Sequence, residues 1–272
     1  MPEGPEIRRE ADAIAKVLLN QRLLDVYVEP ARLSDYPSQL IDCTVVAVQT
    51  HGKALLTRFD NDLTLYSHNQ LYGRWYVKPP GQSPKTNRTL RVGLFTALGC
   101  ALLYSATDVH VYTDADLATH PFLQKLGPDV LDTRLTWQGV AARLQSAPFC
   151  KRALGGLYLD QGFIAGIGNY LRSEILFFAG LRPERRPVDL AALELRRLAV
   201  ATLEVSQRAY AARGITNPAP RVAALKAEGR RYSAFRFAVF DRAAEPCFDC
   251  GTAIERITVT TRRLYFCAGC QH

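Results

Sequence analysis

Ile7, Ala11, Ile14 and Leu18 recur at helical spacing, with Glu6 and Glu10 early in the stretch and Asn20 placed to end it. From Leu23 to about Tyr112 the period changes. VVAVQT, ALLTRF, LTLYSH, RWYVK, TLRVGLF and CALLYS are short β-rich runs, separated by turn residues such as Asn61-Asp62 and Leu98-Gly99. No long helical pattern interrupts them. This predicts an antiparallel β-sandwich, not a doubly wound sheet. KPPGQSPKTN (78–87) reads as an exposed, mobile loop. Through THPFLQKLGPDVLDTRLT (119–136) the chain leaves the sheet as a short helix and then a linker. Thr136 is positioned to cap a helix from Trp137 to about Gln145, and helical patterns continue to about Ala212. ITNPAPRVAALKAEGRRYS (215–233) is polar, basic and Pro-containing, and reads as a flexible loop. From FRFAVFDR to the C-terminus the chain reads as a short β-rich module. The expected division is a sandwich over 1–124, a linker over 125–136, a helical domain over 137–237 and the terminal module over 238–272.

Charge sharpens the picture of the C-terminal third. Residues 1–181 hold 18 Lys and Arg against 17 Asp and Glu, whereas residues 182–272 hold 16 against 9. That basic third suits a polyanion, nucleic acid first, although a solvated basic surface without a partner fits the composition as well. No run of 18 apolar residues occurs, so no membrane span is expected. Glu3 and Glu6 sit where a signal peptide would carry its basic and apolar regions. An intracellular, cytoplasmic protein is expected.

Seven cysteines are present, and four form two CxxC pairs, Cys247/Cys250 and Cys267/Cys270, with 16 residues between them. That spacing, with an odd total, points to a reducing compartment and one structural zinc ion held by four thiolates. Such a shell is closed, so the ion holds shape and leaves no open position for catalysis. TAIERITVTTRRLYF between the pairs reads as a β-hairpin with Thr260, Thr261, Arg262 and Arg263 at its turn. Basic residues at the tip suit a nucleic-acid probe; the alternative is a module for protein contacts.

Further stretches carry possible chemistry. In MPEGPE, Met1 precedes a small residue and is expected to be removed, leaving Pro2 with a free secondary amine. An α-amino group titrates near ~8 against ~10.4 for a lysine, so roughly a hundredfold more of it is uncharged at neutral pH. Attack of a secondary amine on an aldehyde-level carbon yields an iminium that is cationic from the start. Glu3, one residue on, is placed as a general acid or base. LDQGFIAGIGNYLRSEIL (159–176) joins two helices through a glycine-rich double turn, with Asn169 at the new helix's N-cap. It is either a phosphate-binding turn or an ordinary helix hairpin. Lys53 in HGKALL either faces solvent or reaches a phosphate. Gln70, Leu71 and Tyr72 lie on a tight turn between strands, where they either wedge into a base stack or pack back on the sandwich. The five histidines show no metal spacing.

Together PEGPE, HGKALL, LDQGFIAGIGNYLRSEIL and the terminal CxxC-x16-CxxC-QH, in this order from end to end, resemble the formamidopyrimidine-DNA glycosylase and endonuclease VIII family. NDLTLYSHNQLYG resembles the bacterial endonuclease VIII branch. The resemblance implies an α+β fold: an N-terminal antiparallel β-sandwich with an N-terminal helix, a helix–two-turn–helix domain and a four-cysteine zinc-finger hairpin. It implies a bifunctional DNA glycosylase and AP lyase that excises oxidised pyrimidines from double-stranded DNA carrying damaged bases or abasic sites and cuts the strand by β,δ-elimination, in a monomeric, nucleoid-associated bacterial protein. Pro2 would attack the sugar carbon, Glu3 would shuttle protons, Lys53 would hold phosphate and assist β-elimination, and Arg262 would assist δ-elimination. Asn169 and Lys125 would hold phosphates; where the family is expected to carry arginine, Lys125 gives up a bidentate grip. Gln70, Leu71 and Tyr72 would fill the gap left by the flipped nucleotide. The length of the 215–233 stretch departs from the endonuclease VIII branch and leaves open the sister activity on oxidised purines. A non-enzymatic zinc-ribbon DNA-binding protein is the rival outside catalysis.

Overall fold

The computed structural model describes residues 2–272; Met1, whose removal the sequence predicts, lies outside the described residues. Contacts divide the chain into two units, one holding Pro2 and Glu6–Lys125, the other Glu3–Pro5 and Leu126–His272.

The first unit is built on two antiparallel sheets. Helix α1 (Gly4–Leu18) buries Ile7, Ala11, Ile14 and Leu18, the stripe anticipated from their spacing. Asn20 turns the chain out of it at φ 59°, a left-handed conformation that asparagine tolerates. The strands are β1 (Asp25–Val28), β2 (Val45–His51), β3 (Ala54–Phe59), β4 (Leu63–His68), β5 (Arg74–Lys78), β6 (Leu90–Thr96), β7 (Gly99–Tyr104) and β8 (Asp108–Thr113), with a short helix α2 (Pro37–Leu40) between β1 and β2. They pair in the orders β1-β6-β7-β5 and β2-β3-β4-β8. One apolar core draws Val26, Leu94 and Leu103 from the first sheet and Leu55, Phe59 and Leu65 from the second, with α1 added. Two short helices, α3 (Asp114–Ala118) and α4 (Pro121–Gln124), end the unit.

The second unit is helical, with a terminal hairpin. It contains α5 (Trp137–Gln145), α6 (Leu154–Leu157), α7 (Asn169–Ala179), α8 (Ala192–Ala211), α9 (Ala219–Ala227), α10 (Tyr232–Arg236), β9 (Ile254–Val259) and β10 (Arg262–Cys267). Thr136 caps α5 by accepting the Gly139 N–H at 3.2 Å. Helix α7 is buried nearly all round, Arg172, Ser173 and Glu174 included. Glu174 is satisfied there by the N–H groups of Ala238, Val239 and Phe240, each at 2.8 Å, and by the Thr216 hydroxyl. The carboxylate thereby pins the approach to the hairpin module onto α7. Among the described residues no helix is long and apolar enough to cross a membrane.

The expectation of a flexible loop over 215–233 is corrected. Pro218 is the N-cap of α9, Pro220 lies in its first turn and an alanine-rich run carries it, while Thr216 and Asn217 are almost fully buried. Proline at a helix start removes an N–H that would have no intrahelical partner, so it favours the helix there.

Candidate active site and metal centre

Glu3 is 3% exposed, and its carboxylate sits on the first turn of α7. Oε2 accepts the Gly168 N–H at 2.8 Å and the Leu171 N–H at 3.2 Å; Oε1 accepts the Tyr170 N–H at 2.8 Å. These are N–H groups that a helix start leaves without partners, at the positive end of its dipole. The sequence left them either for a phosphate or for an ordinary helix hairpin. In the structure the anion they hold is Glu3. The glycines of the double turn serve that approach. A Cβ on Gly168 would lie 2.4 Å from Glu3 Cδ, and the Gly4 N–H donates to Gly166 O at 2.8 Å. The N-cap is Gly168, so Asn169 is the first helical residue, one place later than its expected role. Its Oδ1 accepts from Arg172 Nη2 at 2.7 Å.

Pro2, partly exposed, falls in the first unit. Lys53 does too, in the two-residue turn between β2 and β3. Gly52 takes φ 62° there, the left-handed value such a hairpin turn asks of its first residue. Lys53 is 8% exposed, far from an idle surface lysine. Its strand neighbour Ala54 pairs with His68. Burial pushes the His68 imidazole below its ordinary value, and Lys53 adds to the shift while Asp108 opposes it. His68 Nδ1 accepts the Gln70 N–H at 3.1 Å, so this imidazole, given no role by the sequence, helps to hold the next turn.

That turn runs from Asn69 to Gly73. Gly73 N–H donates to Asn69 O at 2.7 Å, and a Cβ on Gly73 would come within 2.6 Å of the same oxygen. Gln70 takes φ 48° and accepts the Thr107 hydroxyl at 3.0 Å. Leu71 and Tyr72 are 59% and 67% exposed, so they do not pack back on the sheet. Asn69 is buried and donates its amide to Glu10 Oε2 at 2.6 Å, which ties the turn's base to α1. Burial pushes the Glu10 carboxyl up to about 7, against the Asn69 hydrogen bond and the nearby Arg74. Lys125 is exposed just after α4.

The hairpin turns at Thr260 and Thr261, both at positive φ; Arg262 and Arg263 open the return strand, exposed, instead of sitting in the turn. The Sγ atoms of Cys247, Cys250, Cys267 and Cys270 all lie within 4.8 Å of one another, with 3.8 Å between Cys247 and Cys270 and 3.4 Å between Cys250 and Cys267. A tetrahedron with metal–sulfur bonds of ~2.3 Å has edges of about 3.8 Å, so the four thiolates fit a metal ion.

Sequence reasoning missed Arg172, Glu10 and Asn69. Arg172 left a signal, a lone basic residue on the apolar face of LRSEILFF. Glu10 and Asn69 left none, because a polar residue early in a helix or beside a turn is the ordinary case.

The geometry can be set beside known proteins. Residues 1–111 match the formamidopyrimidine-DNA glycosylase N-terminal domain, and residues 126–219 match the H2TH domain of the same enzyme family. The chain is 50% identical, over 100% of both proteins, to endonuclease 8 of Escherichia coli K12, and equally to that of Shigella sonnei. Solved structures of Lactococcus lactis Fpg share the fold. The complex with abasic-site DNA gives a TM-score of 0.78 at 20% identity, covering 99% of each chain. The complex with DNA carrying an oxidised pyrimidine gives 0.79 at 20%, covering 100% of each.

Proposed function

The chain belongs to the formamidopyrimidine-DNA glycosylase and endonuclease VIII family of DNA glycosylase/AP lyases, and from that premise we propose how its own residues divide the reaction. The substrate is double-stranded DNA with oxidised pyrimidines or abasic sites. With Met1 removed, the Pro2 nitrogen attacks C1′ as the base departs with a proton. The ring then opens to a cationic iminium that withdraws electrons from C2′. Loss of the C2′ proton expels the 3′-phosphate, and a second elimination expels the 5′-phosphate.

Glu3 handles the protons at the sugar. The observation that carries this reading is its carboxylate, fixed by three N–H donors next to the nucleophile in sequence. A group held that firmly needs little reorganisation in the transition state. Lys53 grips phosphate and assists β-elimination; Arg262 grips phosphate and assists δ-elimination. Asn169 and Lys125 add backbone contacts. Gln70, Leu71 and Tyr72 fill the gap in the duplex, since two large apolar side chains held out in water on a fixed turn suit a wedge. Cys247, Cys250, Cys267 and Cys270 hold one zinc ion, which supplies fold stability to the hairpin and no chemistry at the sugar. The working protein is a monomer in the bacterial cytoplasm, associated with the nucleoid. The domains are 1–124, 137–237 and 238–272, joined over 125–136.

Borohydride reduction in the presence of a thymine-glycol duplex tests the reading. A covalent protein–DNA adduct is expected, and it should vanish when Met1 is retained behind an N-terminal tag while binding to the duplex persists. A tagged, unprocessed protein that still forms the adduct would remove Pro2 from the role. No adduct from the processed protein would favour the zinc-ribbon reading.

A further inference from the structure

Arg172 is 0% exposed, yet among the described residues its guanidinium makes no direct ion pair. Nη1 donates to Gly155 O at 2.6 Å, and Nη2 donates to Asn169 Oδ1 at 2.7 Å and to Arg263 O at 3.2 Å. Nε has no partner. Burial lowers this guanidinium to about 10, with Glu3 opposing and Arg262 adding to the shift. A buried cation satisfied only by neutral oxygens is costly, and apolar residues of like volume usually serve packing better. Its placement therefore calls for a reason beyond filling space.

The reason lies in what it touches. A guanidinium only donates, so the Asn169 amide must turn its oxygen inward. The amide's NH₂ end is then the end left for solvent, a donor suited to an anion. The third bond holds the Arg263 carbonyl, and with it the start of β10 where Arg262 sits. One buried side chain thus orients a residue of α7 and a strand of the hairpin module.

We propose that Arg172 is a positioning residue that sets Asn169 and Arg262 as a matched pair of phosphate donors. The inference rests on the proposed roles of those two residues. Its signature is coupling. Once Asn169 is alanine, there is no amide left for Arg172 to orient.

The test is a double-mutant cycle on affinity for a tetrahydrofuran abasic-site duplex, with β- and δ-elimination products quantified on a natural abasic site. R172M is expected to lose about tenfold in affinity, the scale of one good hydrogen bond to a charged group, and to leave more β-only product. R172K keeps a charge and two donors in reach, and is expected to fall between R172M and wild type. In the N169A background the further loss from R172M should shrink to the smaller part carried through Arg262, about threefold or less, with zinc content unchanged. Equal losses from R172M in both backgrounds would overturn the inference, as would wild-type affinity and product ratio in R172M. Should R172M fail to fold, the same cycle with R172K decides. Wild-type affinity in N169A and in R262A would instead remove the phosphate roles on which the inference stands, a result distinguishable because it appears without touching Arg172.

Discussion

Gly168 and Glu3 are the sharpest case of one residue being set by another. An alanine Cβ at 168 would lie 2.5 Å from Glu3 Oε1, against a carboxylate already held by three N–H groups. Gly168→Ala should therefore displace the carboxylate while leaving most of the fold intact. A shift of about 1 Å in a catalytic group can cost ~100-fold. Single-turnover excision should fall by about that factor, with DNA affinity changed much less; an unimpaired rate would show that the placement of Glu3 is unimportant. Glu10 makes a pH prediction. Its folded value, about 7, lies above the ordinary 4.5 because burial disfavours the charge. A raised carboxyl binds its proton more tightly in the folded protein. Its contribution to stability is then fully present below about 4.5 and is lost as pH rises through about 7. The change is on the order of 3 kcal/mol at most. In denaturant titrations from pH 5 to 8, Glu10→Gln should lose less stability than wild type across the window; parallel curves would exclude Glu10 as the titrating group. The cysteine spacing was readable without any tertiary contact. The partners of Glu3 lie more than 160 positions away, so no local pattern announces them.

Elements were readable wherever periodicity and end signals agreed. The apolar stripe of α1, the β-rich runs of β2 to β7 and the hydroxyl of Thr136 each marked an element that formed where expected. Strands β1 and β8, DVYV and DVHVYT, fall within the β-patterned stretch from Leu23 to about Tyr112 but were not singled out as runs. Over 215–233 the local signals conflicted. The prolines and the cations suggested a loop, whereas the run from Ala219 to Ala227 has strong helix formers. Tertiary contacts settled it. The Arg221 guanidinium pairs with Asp249 and lies 5.4 Å over the Phe248 ring, and Lys226 lies 5.3 Å over Phe235. Helix α9 is thus tied to the knuckle that carries Cys247 and Cys250. Arg221→Ala should loosen α9 by about 1 kcal/mol, the scale of a partly exposed ion pair with a cation–π contact. Limited trypsin digestion should then cut at Lys226, Arg230 and Arg231 several times faster than in wild type. Equal cutting rates would mean that α9 is held by something else.

On the scale of the whole molecule the basic excess lies in the last third of the chain, and the helix there bears on which lesion is removed. A mobile basic loop could have closed over a purine. A helix whose Arg221 and Lys226 are engaged with Asp249, Phe248 and Phe235 has its cations committed to the protein. On the proposed reading, base selection then falls to the cost of extrusion, set against the proposed wedge of Gln70, Leu71 and Tyr72. A saturated pyrimidine such as thymine glycol is non-planar and stacks poorly, so flipping it costs less than flipping a planar purine, by about a few kcal/mol. An enzyme that supplies little extra flipping energy will rank lesions by that cost. Single-turnover excision from matched duplexes should be faster for thymine glycol opposite adenine than for 8-oxoguanine opposite cytosine. Leu71→Ala should widen the gap, since it weakens extrusion most where extrusion is hardest. Faster removal of 8-oxoguanine would mean that contacts to the flipped base, not the ease of flipping, set the preference, and would move the chain to the purine branch of its family.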